Sequence, residues 1–294
     1  MENKKVRKLI IPVAGIGTRM LPATKAQPKE MMPILDKPVI QYIVEDAVKA
    51  GITDIIFVTG PTKKSLEDHF DRLETLEELC LKSGKQEAYK SIKEVAELAN
   101  FIYIRQKGPY GTGTPVLNAK ELIGEEPFAV VYGDEIFDCP EGKPHLKQLI
   151  EAYEKYNEPV ITAVMTDDQG TSKYGIIEGL QSEEGIMEVK RLKEKPGPDG
   201  TESRIACVGG FILKPDIFQV LETMKAQDGR EFYLTDAIDL LLQKRPVFAK
   251  LLDGIQNDTG TKLGWLKTNI NYGLKDKDIG EDLRQFIKDK VKIV

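Results

Sequence analysis

The sequence predicts an α/β protein: a mixed, mainly parallel sheet flanked by helices, with an added β-rich layer in its second half. Three observations carry this. Short apolar, β-branched runs alternate with segments of helical periodicity up to about residue 140. Beyond residue 160, strand-like runs follow one another across glycine turns with fewer helices between them. Gly15 and Gly17 stand directly behind the first run, at the carboxyl end of a strand, where open α/β sheets bind ligands.

Lys8 to Val13 reads as a buried strand. From Pro38 to Ala50 the apolar residues Val39, Ile40, Ile43, Val44, Ala47 and Val48 mark a helix with one buried face, ended by Gly51. Asp54 to Thr59 is a strand, Gly60-Pro61 a turn and Lys63 to Phe70 a helix, which makes a parallel β-α-β-α start. Arg72 to Asn100 is rich in Glu, Lys and Leu and predicts a charged helical pair on the surface. Phe101 to Ile104 and Phe128 to Tyr132 are strands, separated by the loop Gln106 to Gly113 and a short helix through Val116, Leu117 and Ala119. In the second half, Val160 to Thr166, Tyr174 to Leu180, Ile186 to Leu192 and Ile205 to Leu213 form the partly antiparallel layer. Helices follow at Pro215 to Lys225, Leu234 to Gln243 and Leu263 to Tyr272, with a polar terminal helix from Asp278 to Lys290. There is no repeat, low-complexity tract or flexible linker.

The 294 residues suit one elaborated domain, and 41% hydrophobic with 30% charged residues is an ordinary globular balance. A net charge of −5 gives no general attraction to nucleic acid or anionic lipid. No apolar run approaches the ~20 residues that span a bilayer, and the charged amino end lacks the apolar core of a signal peptide, so a cytoplasmic protein is expected, with neither nucleic acid nor membrane as partner. Cys80, Cys139 and Cys207 are odd in number and widely spaced, and read as packing residues. With only His69 and His145, the usual general base and transition-metal ligand are scarce, so chemistry must rest on Lys, Arg, Asp, Glu and backbone amides.

The segment from Val13 to Thr24, closed by Pro28-Lys29-Glu30, joins a strand, a glycine loop and two cations. Gly15 and Gly17 can turn amides toward an anion, while Arg19 offers a planar fork and Lys29 a compact charge. A dinucleotide fingerprint is rejected: Met20 replaces its third glycine, Pro22 and Pro28 interrupt the expected helix, and Asp36 precedes a helix instead of ending a strand. No Gly-Lys-Ser/Thr phosphate loop is present. Asp134 follows the strand ending at Tyr132 and falls on the same sheet edge, where a hard carboxylate suits Mg2+. Asp258 is the best partner acid; taken singly, each aspartate also reads as a turn residue. Glu194-Lys195 ends another strand, with a carboxylate for sugar hydroxyls and an ammonium for phosphate, or simply a solvated charged loop if it stood alone.

Together these segments resemble the sugar-1-phosphate nucleotidyltransferases, most closely the bacterial UTP-glucose-1-phosphate uridylyltransferases. The resemblance spans most of the chain: Gly15 to Lys25, Pro28-Lys29-Glu30-Met31, Asp36-Lys37-Pro38, Ile40-Gln41-Tyr42, Arg105-Gln106, Gly133-Asp134, Tyr174-Gly175, Glu194-Lys195-Pro196, Leu234 to Ile238 and Lys262-Leu263-Gly264. It implies a Rossmann-like sheet with a β-rich sugar-binding layer. The nucleotidyltransferase domain would be 1–272, with a nucleotide-binding half of about 1–140, a sugar-binding half of about 141–272 and a C-terminal helical tail, 273–294. It implies that Ala14, Gly15, Gly17, Glu30, Gln106 and Gly111 bind nucleotide, that Arg19, Lys29 and Lys195 act on phosphates as catalytic cations, that Gly175 and Glu194 hold the sugar, and that Asp134 and Asp258 bind Mg2+. The implied reaction joins UTP and glucose 1-phosphate into UDP-glucose and pyrophosphate, in a homo-oligomer. Three departures lie at the pockets: Gly111-Thr112-Gly113-Thr114-Pro115 for Gly-Leu-Gly-His-Ala, Glu231-Phe232-Tyr233 for Glu-Ile-Gln, and an Asp258-Thr259-Gly260-Thr261 more like the thymidylyltransferases. The alternatives are therefore the same reaction with dTTP or another sugar 1-phosphate, and a nucleotide-sugar-binding regulator without catalysis.

Overall fold

The computed structural model describes residues 4–226 and 229–291. Its strands are β1 Lys8–Pro12, β2 Pro33–Ile34, β3 Lys37–Pro38, β4 Asp54–Thr59, β5 Asn100–Arg105, β6 Phe128–Val130, β7 Glu135–Asp138, β8 Val160–Met165, β9 Gly175–Glu183, β10 Ile186–Glu194, β11 Ile205–Leu213, β12 Phe248–Leu251 and β13 Ile255–Asp258. Nine of them form one sheet in the order β5-β4-β1-β6-β11-β8-β12-β10-β9. The pairs β5–β4, β4–β1 and β1–β6 are parallel, as is β12–β8, whereas β11 and β10 run against their neighbours.

The period of two along a strand explains the layers. In β1, Leu9 and Ile11 enter one core cluster and Ile10 the other; in β4, Ile55 and Phe57 oppose Ile56 in the same way. Helices Val39–Lys49 and His145–Tyr156 close the first face, and Gly113–Asn118, Asp216–Thr223 and Leu234–Leu241 close the second. The charged pair predicted over 72–100 is present as Glu74–Lys82 and Gln86–Ala96.

Several elements differ from the sequence reading. β12 has no counterpart in the predicted elements; it inserts between β8 and β10 and completes the second half of the sheet. The four-residue strands β7 and β13 are also additional, and they pair with each other outside the main sheet. His145, expected in a loop before a helix, is the first helical residue, because the Asp46 carboxylate accepts from His145 N (3.0 Å) and Leu146 N (3.3 Å) and caps that helix from a neighbouring one. The expected boundary at 272 falls inside the helix Lys262–Lys275. Gly273 does not end that helix; its missing Cβ leaves room for Leu283 of the terminal helix Gly280–Val291, whose Cδ2 a side chain there would meet at 2.6 Å. Residues 292–294 of the expected tail, 1–3 of the first half and 227–228 of the second lie outside the described residues. Cys80 and Cys207 are buried as packing residues, and Cys139 is half-buried.

Candidate active site

Strands β1, β4, β5 and β6 are parallel, so Ala14-Gly15, Gly60, Gln106 and Gly133-Asp134 all emerge at one edge of the sheet. A cleft of about 750 Å³ opens there, walled on the far side by Tyr174-Gly175, Glu194-Lys195, Tyr233 and Thr235. Eleven of the thirteen expected site residues line it: Ala14, Gly15, Arg19, Lys29, Gln106, Gly111, Asp134, Gly175, Glu194, Lys195 and Asp258. Gly17 and Glu30 do not.

Gly17 shapes the loop from behind. Its φ of +66° suits glycine, and an added Cβ would press on Lys29 and Thr24 at 3.3 Å. Glu30 is fully buried, and its Oε2 accepts from Lys63 Nζ at 2.8 Å. The same ammonium donates to the Gly15 carbonyl at 2.7 Å. The sequence does not mark Lys63 as a site residue, since nothing local distinguishes it from Lys64. Its function is to fix the Gly15 peptide from below; the pair would cost several kcal/mol to break by removing one partner, because the other charge would be left buried. The loop from Gln106 is also held: Asn118 accepts from Lys107 N at 2.7 Å and donates to Lys107 O at 3.0 Å.

Asp134 lies between two cations, with Lys29 Nζ at 2.5 Å and Arg19 Nη2 at 3.6 Å from its Oδ2. Burial works to raise its pKa, but Lys29 and Arg19 outweigh burial and hold the carboxyl below its ordinary value. The β7–β13 ladder sets Asp258 opposite Glu135 and so beside Asp134. Burial and the Asp134 charge push the Asp258 carboxyl up. Glu135, buried in the cleft wall next to them, is pushed up to about 8 by burial and by Asp134, and accepts from Gly209 N at 2.9 Å and Gln256 Nε2 at 3.0 Å. Gly209 reaches it through a bulge in β11 between Val208 and Phe211.

Gly260 lies where these groups converge. A Cβ at this residue would stand 2.5 Å from Asp134 Oδ2, 2.7 Å from Arg19 Nη2 and 3.1 Å from Asp258 Oδ1. Two hard carboxylates facing one point, one of them destabilised by the other's charge, fit a divalent cation. Among the described residues no group of three or more His, Cys, Asp or Glu could hold a metal, so substrate phosphates and water would complete its shell.

At the other end of the cleft, Glu194 Oε2 accepts from Thr235 Oγ1 at 2.6 Å and Oε1 pairs with Lys195 Nζ at 3.1 Å. Gly175 keeps this corner open, since an added Cβ would approach Thr235 at 3.1 Å and Glu194 at 3.3 Å. Burial works against the Lys195 charge, but Glu194 and Tyr233 outweigh burial and raise its pKa. Neither histidine lines the cleft: His69 hydrogen-bonds Gln41, and His145 is 1% exposed beneath the sheet.

An α/β sheet with cations, carboxylates and a glycine loop converging at its carboxyl edge has the chemistry that phosphate transfer requires, and the nucleotidyl transferase family profile matches residues 8–273. The chain belongs to this family. It is 47% identical over 285 residues to UTP–glucose-1-phosphate uridylyltransferase 2 of Staphylococcus saprophyticus, covering 97% of this chain and 98% of the relative. The uridylyltransferase YngB of Bacillus subtilis is 46% identical over 290 residues, covering 99% and 97%. Among solved structures, a UDP-glucose pyrophosphorylase complexed with UDP-glucose superposes with a TM-score of 0.84 at 38% identity, covering 92% of this chain and all of that one. The UTP-bound enzyme from Acinetobacter baumannii gives 0.88 at 36% identity, covering 96% and 98%.

Proposed function

We propose that this protein is a UTP-glucose-1-phosphate uridylyltransferase, forming UDP-glucose and pyrophosphate. The observation that carries the reading is the single cleft with Gly15, Arg19, Lys29, Asp134 and Asp258 at one end and Glu194 and Lys195 at the other. Its relatives' activity matches that division into a triphosphate end and a sugar-phosphate end. Gln106, Gly111 and the Ala14-Gly15 backbone receive the nucleotide, Arg19 and Lys29 hold its phosphates, Gly175 and Glu194 face the sugar, and Lys195 meets the phosphate on it.

A phosphate oxygen of glucose 1-phosphate attacks the α-phosphorus; one P–O bond forms as the α–β bridging bond breaks, and pyrophosphate leaves with the electron pair. Arg19 and Lys29 offset the charge that develops on the transferring and leaving phosphates. Asp134 and Asp258 would hold Mg2+, which supplies Lewis-acid charge compensation when bound. A phosphate monoester has a second pKa near ~6, so the nucleophile is ionised at neutral pH and needs no protein base. The absence of both histidines from the cleft is consistent with that. The proposal includes a cytoplasmic location and a homo-oligomer.

The test is a matrix of UTP, dTTP, CTP and ATP against several hexose 1-phosphates, read by pyrophosphate release. UTP with glucose 1-phosphate should give the highest kcat/KM. A higher value for dTTP or another sugar 1-phosphate would reassign the substrate, and no turnover of any pair would leave a binding protein without catalysis.

A further inference from the structure

Lys195 occupies an unusual backbone conformation, with φ at +47°, a region that non-glycine side chains rarely adopt. Such strain persists only where surrounding contacts enforce it. Two contacts on the side chain come from one residue: Nζ donates to the Tyr233 hydroxyl at 3.2 Å and lies 4.6 Å from the centre of the Tyr233 ring. The Glu194 carboxylate is the third partner of the ammonium, whose side chain stays 41% exposed. Tyr233 is itself fixed. Phe232 N donates to Tyr110 O at 2.8 Å, Gly113 N donates to Phe232 O at 2.8 Å, and Leu234 N donates to Thr112 Oγ1 at 3.0 Å. Gly111 has no Cβ to keep Phe232 away; one would overlap the Phe232 backbone N and O. Tyr233 is therefore mounted on the nucleotide-side loop while its ring and hydroxyl face the lysine of the sugar side.

We propose that Tyr233 is the positioning residue for Lys195, holding the ammonium over the place where the phosphate of the acceptor sugar arrives. This inference rests on the functional reading above. Tyr233 acts through Lys195: with the ring removed, the strained backbone and Glu194 alone would orient the ammonium, and Glu194 draws it toward the carboxylate and away from an incoming anion. The consequence falls on acceptor use and spares the nucleotide, although Tyr233 is anchored to the nucleotide loop through its neighbours.

The experiment is a double-mutant cycle on the full chain, with steady-state kinetics for both substrates. Tyr233→Ala should raise the KM for glucose 1-phosphate about tenfold and leave the KM for UTP within about twofold. Tyr233→Phe, which keeps the ring and loses the hydroxyl, should recover most of that loss. In a Lys195→Ala background, Tyr233→Ala should have almost no further effect on glucose 1-phosphate. If the two substitutions multiply, or if the UTP and glucose 1-phosphate constants rise together, Tyr233 does not work through Lys195 and the proposal falls. Failure of the functional reading is distinguishable, because the unmodified protein would then not release pyrophosphate from UTP and glucose 1-phosphate at all.

Discussion

Gly260→Ala adds one methyl group at the point where Asp134, Arg19 and Asp258 meet. The backbone at Gly260 lies outside the left-handed region, so alanine is conformationally acceptable and the substitution tests space alone. The new carbon would stand 2.5 Å from Asp134 Oδ2 and 2.7 Å from Arg19 Nη2, against 3.4 Å for ordinary contact. Asp134 cannot turn away freely, because Lys29 grips the same oxygen at 2.5 Å. The carboxylate or the loop must therefore shift by ~0.9 Å, and misplacing a reacting or metal-holding group by ~1 Å costs about a hundredfold in rate, or ~2.7 kcal/mol of transition-state stabilisation. Pyrophosphate release at saturating UTP and glucose 1-phosphate should fall by that factor, with a higher Mg2+ concentration needed for half-activation and a Tm within about 2 °C of normal. Undiminished turnover and unchanged Mg2+ demand would show that the point beside Gly260 is not where the catalytic groups converge.

Asp134→Asn should reduce turnover by about a thousandfold while the far-ultraviolet spectrum stays native, and excess EDTA should silence the unmodified protein; full activity in either case removes Asp134 from the mechanism. Gly111→Ala meets both a φ of +143° and the backbone of Phe232, and should cost about 3 kcal/mol, seen as a Tm lower by about 6 °C, together with a raised KM for UTP. An unchanged melting curve would contradict the close backbone approach. Burial pushes the His145 imidazole down to about 3, from an ordinary 6.5, so the unfolded chain takes up the proton first as pH falls. His145 therefore costs no stability above pH ~6.5 and removes up to ~1.4 kcal/mol per pH unit as the pH drops from there toward 3. Urea titrations should show that His145→Gln loses stability less steeply than the normal protein over this window, and parallel slopes would refute the assignment.

The parts of the fold that can be read from the sequence are those with strong local patterns. Helix Val39–Lys49 shows its buried face in its own spacing, and β1 and β4 are continuous apolar runs. β7 and β13 have four residues each, Glu-Ile-Phe-Asp and Ile-Gln-Asn-Asp, too short and too polar to signal a strand until they find each other. The same limit applies in the site. The glycine loop, Asp134 and the Glu194-Lys195 pair stand in recognisable local settings at strand ends, so the sequence alone marks them as candidates. The functions of Lys63, Gly260 and Tyr233 depend on partners distant in the chain. Lys63 reaches Gly15 across 48 positions and Tyr233 reaches Lys195 across 38, and no local pattern records such distances. Glu30 illustrates the converse: its motif places it near the nucleotide, but its side chain is fully buried and paired with Lys63 beneath the loop.

The pairing of β6 with β11 joins the two halves of the cleft through the ladder Phe128↔Leu213, Ala129↔Ile212 and Val130↔Phe211. A hinge between the halves would have to break this ladder, so the floor of the cleft is one continuous hydrogen-bonded sheet. The Arg19–Lys29 cluster follows β1 and the Glu194–Lys195 pair ends β10, so both ends of the cleft are carried on one nine-stranded sheet, with β6, β11, β8 and β12 lying between the two anchoring strands. The spacing of those strands is therefore set by their order in the sheet and not by a linker.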